Sequence, residues 1–176
     1  VENFLQVDRW LPLENAVNRI IGYTFTQGLV QAIITYFIIR HTAWPSSFRI
    51  RLDAVAYGAV SAVGYATILN LHLVVSNTPS PDITAFRVFD TLALQLATNI
   101  IIGYGLSEVR FNRHPFSFLL SASVILAAFI TGMTIPLRAG LTNAILAQGV
   151  STVSPIRGFL FSILVLVSVS IIFAFL

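Results

Sequence analysis

The sequence contains no cysteine and no lysine, and only 10% of its residues are charged. Without cysteine, a disulfide framework, a thiol nucleophile and a thiolate metal site are excluded. A soluble domain carries about 25% charged residues, so this chain has too few to cover a water-facing surface. Strand-type alternation is also missing, and the apolar runs are too long for the strands of a membrane barrel. These absences point to helices embedded in lipid.

The sequence is instead rich in apolar residues. Of the 176 residues 56% are hydrophobic, and the mean hydropathy is +0.85. A membrane span needs about 20 mainly apolar residues, and in lipid each span must satisfy its own backbone hydrogen bonds. Five stretches qualify as helical spans. They cover residues 19–39, 54–75, 88–106, 116–135 and 158–176. We therefore predict an all-α polytopic membrane protein, with residues 1–176 forming one domain and the lipid bilayer as its immediate partner.

The segments outside these spans carry three further predictions. Residues 1–18 have an apolar stripe and place Trp10 where headgroups lie, which predicts an interfacial helix. Residues 76–81 are rich in proline and serine and predict a turn. Residues 136–155 are less polar than an ordinary loop and predict a short helix on or partly in the membrane. Because the chain begins at Val1, we expect a longer protein, with room for an earlier span.

Ten arginines give a net charge of +3 and an isoelectric point near 9.8, values that nucleic-acid binders share. The arginines are scattered singly or in pairs at the ends of apolar runs, which is typical of membrane-flanking anchors. Nucleic acid is therefore not an expected partner. One end of the five-span arrangement receives Arg40, Arg49, Arg51, Arg110 and Arg113, and the other receives Arg9, Arg19, Arg87, Arg138 and Arg157. The tighter clusters favour the first end as cytoplasmic.

Three successive spans carry a recurring pattern of glycine, tyrosine and amide residues. The second span begins with Asp53, Tyr57 and Gly58 in a D-x-x-x-Y-G spacing, continues through residues 64–66 (Gly-Tyr-Ala) and reaches Asn70. The first span holds Gln27, Gly28 and Gln31, and the third holds Gln95 followed eight residues later by Gly103 and Tyr104.

In this order and spacing, residues 26–105 resemble the PrsW-type intramembrane metalloprotease family, which is related to the CAAX-processing membrane proteases. That family carries E-E-x-x-K on one helix, F-x-x-x-E-N on the next, and histidines on a third and a later helix. The resemblance implies a metal, held by glutamate and histidine, that activates water. The matching positions here hold Gln27, Gly28, Gln31, Leu69 and Gln95. No histidine follows His114, so the family's later histidine has no counterpart.

These replacements remove the chemistry that hydrolysis requires. Leu69 has no lone pair, and glutamine amides bind divalent metals poorly and do not accept a proton near neutral pH. The ionisable side chains of the spans, Arg19, Arg40, Asp53, Arg87, Asp90, Glu108 and Arg157, all fall near predicted span ends. We therefore predict a catalytically inactive chain with no cofactor and no metal. The glutamines are predicted to form interhelical hydrogen bonds, with a remnant polar pocket as the alternative.

Other polar and small residues have structural interpretations. Asp53 and Arg51 are expected to stabilise a helix start or pair between helices, and Asp90 to pair with Arg87 one turn away. His72 and His114 are weak candidates for a pigment magnesium or a haem iron. Close helix contact is predicted for Gly58, Ala62 and Ala66, which lie four apart on one face.

The leading hypothesis is a PrsW-like integral membrane protein without protease activity. It would be a scaffold or accessory subunit that binds other transmembrane helices in a multi-subunit complex of a prokaryotic cytoplasmic membrane. One alternative is an active intramembrane protease, which requires Glu14, Glu108, His72 or His114 to converge. Another is a pigment- or haem-associated subunit of a photosynthetic or respiratory complex. A solute transporter is disfavoured by the lack of buried charge and of paired broken helices.

Overall fold

The structure, a computed structural model, describes residues 16–44, 46–77, 81–113, 118–142 and 155–174. Throughout these ranges every regular element is helical, which confirms the predicted all-α class. The elements are α1 (Ala16–Tyr23), a π-helical turn (Thr24–Gly28), α2 (Leu29–Thr42), α3 (Arg51–Asn77), α4 (Pro81–Phe111), α5 (Leu119–Thr142) and α6 (Pro155–Ala174). Residues 1–15 of the predicted interfacial helix lie outside the described residues, as do Glu14 and His114.

Among the described residues, four helices are long and apolar enough to cross a membrane, so the chain is an integral membrane protein in contact with lipid. They are Arg51–Ser76, Thr84–Phe111, Leu119–Leu141 and Pro155–Ile172. The predicted first span falls within α1, the π turn and α2, which follow one another without leaving helical backbone. At 1.5 Å per residue this composite helix is roughly 40 Å long.

The fourth predicted span is too short, because α5 continues through Pro136 as far as Thr142. A proline inside a helix removes one backbone N–H and disturbs the carbonyl four residues earlier, which here belongs to Gly132. Membrane helices tolerate this because neighbouring helices support the freed groups, and Gly132 packs directly against Thr24. The short helix predicted from residue 136 is therefore wrong over its first seven residues. Residues 143–154 lie outside the described part.

Helices α3 and α4 form the tightest pair of the bundle. A β-carbon on Gly58 would meet the backbone of Asn99, and one on Gly103 would meet the backbone of Ala54. Only glycine permits so close an approach of two backbones. Of the residues predicted to pack helices, Ala62 and Ala66 are buried together with Gly58.

Helix α6 packs against α4 and α5 and keeps an apolar outer face. Phe159 contacts the rings of Phe86 and Phe89, and Ser162 and Val169 are buried. Its exposed residues include Leu160, Leu164, Val167, Ile171 and Ile172. This face has the apolar composition that lipid contact requires.

The helices separate into two groups that diverge toward one end of the bundle. Helix α3 packs mainly along α4, whereas α1 and the π turn pack mainly against α5. At the end where α2 finishes and α3 begins, Ala43 and Phe48 of the connection are buried in the core between the helices. At the opposite end the gap between the groups is a cavity.

Candidate functional site

The cavity has a volume of about 810 Å³ and lies among the first composite helix, α3, α4 and α5. Thr26, Gln27, Val30 and Gln31 line it from the first helix. Helix α3 contributes Tyr65, Leu69, Asn70, His72, Leu73 and Ser76. Helix α4 contributes Arg87, Thr91, Leu94 and Gln95, and α5 contributes Ile135 and Arg138. The lining therefore combines neutral amides, hydroxyl groups, alkyl side chains and two guanidinium groups.

Four positions that the family resemblance singled out meet in this cavity, namely Gln27, Gln31, Leu69 and Gln95. The Nε2 atom of Gln31 donates a hydrogen bond to Oε1 of Gln95 at 2.6 Å, and both side chains are buried. The predicted interhelical hydrogen bond is therefore present for this pair. The predicted alternative, a polar pocket, describes the same residues, because the bonded amides form part of the cavity wall.

The π turn determines how the first helix presents Gln27 to the cavity. Within this segment the hydroxyls of Thr24 and Thr26 donate to the carbonyls of Ile20 and Gly22, each at 2.7 Å. A π turn adds a residue to a helical turn and is frequent at functional sites. Such a turn cannot be read from hydropathy, since the segment remains apolar on both sides.

Gly28, the fifth position of the resemblance, does not line the cavity but faces α5. A β-carbon on this residue would overlap the backbone carbonyl of Ala128. The structure therefore leaves no space for the glutamate that the family carries at this position.

The cavity's charged end is built by α4 and α5. The Nε atom of Arg138 lies 3.9 Å from Oδ2 of Asp90, and Arg87 lines the same end. Asp90 interacts with Arg138 of the neighbouring helix as well as with Arg87 one turn away. It is only 8% exposed and lies six residues inside the span Thr84–Phe111, within the first two turns of that span. Its burial was not predicted from the sequence.

The N-terminal end of α3 shows how Arg51 and Asp53 act. The Asp53 carboxylate accepts hydrogen bonds from the backbone N–H groups of Arg49 and Ile50 at 2.7 and 2.8 Å. Arg51 forms an ion pair with Glu108 on α4 at 3.0 Å. Both expected kinds of interaction, one at the helix start and one between helices, are thus present.

Within the described ranges, no group of three or more histidine, aspartate or glutamate side chains is placed to hold a metal ion. His72 lines the cavity, and its Nδ1 lies 3.5 Å from the Ser76 hydroxyl. Glu108 pairs with Arg51, which precedes His72 by 21 residues, or roughly 30 Å along α3. His72 and Glu108 therefore do not converge, and Glu14 and His114 lie outside the described residues.

Comparison with known proteins adds no relative. No family model matches the chain, and neither a curated protein nor a solved structure matches it. Membership in the PrsW-type family therefore stays a prediction from the sequence.

Proposed function

We propose that this chain is a catalytically inactive membrane protein of PrsW-like architecture that acts by binding, as a scaffold or accessory subunit of a larger membrane complex. The observation that carries the proposal is the Gln31–Gln95 hydrogen bond within the cavity. Two neutral amides occupy positions where the family has a charged group and a histidine, and they satisfy each other. Such a pair holds two helices together but neither activates water nor retains a hydrolytic metal.

Two further positions support the loss of hydrolysis. Leu69 contributes an alkyl surface to the cavity where the family carries its glutamate. Gly28 is closed off by the backbone of α5, so a carboxylate there would require the two helices to move apart. The replaced residues at these positions support a binding role in place of hydrolysis.

A cleavage assay tests the absence of protease activity. Purified protein is incubated with a panel of transmembrane peptides and zinc, with and without a chelator. We expect no cleavage above the level without protein. Metal-dependent cleavage that Gln95→Leu abolishes, and that Ser168→Ala at an exposed α6 position retains, would overturn the proposal.

The binding role needs a separate measurement. The chain is purified from its native membrane in mild detergent after crosslinking, and its mass and composition are determined. We expect an assembly that contains at least one other integral membrane protein. A chain recovered only as a monomer after efficient crosslinking would contradict the scaffold role.

A further inference from the structure

The cavity has two chemically different ends. The glutamine pair is at one end, and Arg87 and Arg138 are at the other. Gln95 follows Arg87 by eight residues on α4, which is a separation of roughly 12 Å along the helix. A volume of about 810 Å³ is in the range that holds a small organic ligand. The cavity is therefore large enough for a ligand with a charged group at one end and an uncharged remainder.

Arg138 is a cation that the protein only partly neutralises. Its Nη1 atom is buried and makes no hydrogen bond within the described part of the chain, and neither does Oδ1 of Asp90. The closest approach of the two side chains is the 3.9 Å contact between Nε and Oδ2. A guanidinium that is incompletely paired attracts an anion, and Arg138 lines the cavity with the exposed part of its side chain.

Arg87 adds a second guanidinium to the same end of the cavity. With Asp90 as the neighbouring carboxylate, this end carries two positive charges and one negative charge. Guanidinium groups bind phosphate through paired N–H donors, and two of them on different helices can hold one phosphate from two sides. The site thus favours a phosphate anion.

The position of these arginines indicates where the phosphate comes from. Arg87 lies near the start of α4 and Arg138 near the end of α5, at the level of a membrane where lipid headgroups lie. Alkyl side chains also line the cavity between its polar groups, among them Val30, Leu69 and Leu73. A phosphate joined to a hydrocarbon chain matches both parts of the wall.

We propose that the cavity binds an anionic phospholipid, with the phosphate between Arg87 and Arg138 and an acyl chain along Val30, Leu69 and Leu73. The bound lipid neutralises the excess positive charge that the two arginines bring to the cavity. This site goes beyond the proposed function and does not depend on the absence of hydrolysis, so either proposal can fail alone.

Direct binding measurements test the site. Purified full-length protein in a neutral detergent is titrated with short-chain phosphatidylglycerol, with short-chain phosphatidylcholine, and with glycerol phosphate as the free phosphate. We expect phosphatidylglycerol to bind at least fivefold more tightly than either of the others. Equal binding of phosphatidylcholine would overturn the anionic site, and equal binding of glycerol phosphate would overturn the assignment to a lipid.

Two arginines at the same end of the bundle provide a matched pair of variants. Arg87 lines the cavity, whereas Arg157 is exposed at the start of α6 and is not part of the lining. Arg87→Gln is expected to weaken phosphatidylglycerol binding about fivefold, the effect of one basic residue at an anionic membrane surface. Arg157→Gln is expected to leave it unchanged. Equal effects of the two variants would show general surface attraction and overturn the site.

A third variant tests whether the lipid needs the cavity's volume as well as its two arginines. The Thr91 hydroxyl donates only to the Arg87 carbonyl of its own helix, at 2.8 Å, so the side chain is not needed to hold another helix. Thr91→Phe fills part of the cavity while both arginines remain. We expect at least a fivefold loss of phosphatidylglycerol affinity with unchanged thermal unfolding. Unchanged affinity would place the lipid outside the cavity and contradict the proposal.

Discussion

Each end of the helix bundle has an ion pair between an arginine and a carboxylate, but the two pairs differ in distance and in surroundings. Where α3 begins, Arg51 and Glu108 approach to 3.0 Å, and the buried Phe48 contacts Trp44 and Tyr57. At the opposite end, Arg138 and Asp90 approach only to 3.9 Å beside the cavity. One end buries aromatic side chains and has an ion pair with a largely exposed arginine, whereas the other has a longer, more buried ion pair beside the cavity.

The difference follows from what fills the gap between the first helix and α3. At the packed end, Ala43 and Phe48 of the connection between α2 and α3 are both buried. Toward the other end, α1 and the π turn follow α5 instead of α3. A binding site thus arises where two well-packed helix pairs diverge, and the residues on its walls need not be unusual.

The largest effect is expected from disturbing the contact that holds the first helix on α5. Gly28→Ala places a methyl group against the backbone of Ala128 and should destabilise the protein by about 2–3 kcal/mol, as overpacked sites do. The control is Gly64→Ala on α3, where an added β-carbon meets nothing within 4 Å. That change should be neutral or slightly stabilising, since alanine favours helix.

Thermal or denaturant unfolding in detergent measures both glycine variants. Only Gly28→Ala is expected to change the shape of the cavity. A change in phosphatidylglycerol binding would report this. Similar stability of the two variants would show that the first helix is not held by this contact.

The next effect compares the two ion pairs. Arg138→Gln leaves Asp90 buried without its cation and should cost about 2 kcal/mol, below the range for fully buried pairs because the contact is long. Glu108→Gln should cost only about 0.5 kcal/mol, because its partner Arg51 is largely exposed. The double variant Asp90→Asn with Arg138→Gln should recover most of the first loss.

Unfolding free energies of the three charge variants and the wild type give this comparison. If Glu108→Gln were the more damaging change, the packed end would depend on its ion pair more than the cavity end does. The contrast between the two ends would then have to be reversed.

The smallest effect concerns the glutamine pair. Gln31→Leu and Gln95→Leu each remove one partner of the 2.6 Å hydrogen bond, and a double-mutant cycle should give a coupling of roughly 1 kcal/mol. Gln31→Leu combined with Thr98→Val serves as the control, because the Thr98 hydroxyl donates to carbonyls of its own helix. That combination should be additive, and equal coupling in both cycles would argue against a specific amide pair.

Sequence reasoning identified the spans and the glutamine positions for different physical reasons. Hydropathy determines which segments enter lipid, so each predicted span overlaps a helix of the structure over most of its length. The spacing of Gln27, Gln31 and Gln95 on successive helices, taken with a family pattern, brought attention to residues that do share a cavity. Neither argument needed tertiary contacts.

The rest depended on contacts that a single sequence does not contain. Asp90 was placed near a boundary because charge is costly in lipid, yet Arg138 on another helix makes its burial possible. The sequence predicts Arg138 in a short separate helix beyond the fourth span, whereas α5 continues through Pro136 and includes it. A proline supported by neighbouring helices and a charge matched by a distant arginine both require the packed structure to be known.

The π turn has a geometric consequence for the first helix. Each helical residue turns the chain by about 100°, so one additional residue between Thr24 and Gly28 rotates all that precedes it by nearly a third of a revolution. The turn itself buries Thr26 and Gly28, between the buried Gly22 of α1 and the buried Gln31 and Thr35 of α2. Deleting a single residue from this turn would rotate α1 away from α5 while leaving the orientation of α2 unchanged. The π turn therefore sets the rotation of α1 relative to α2.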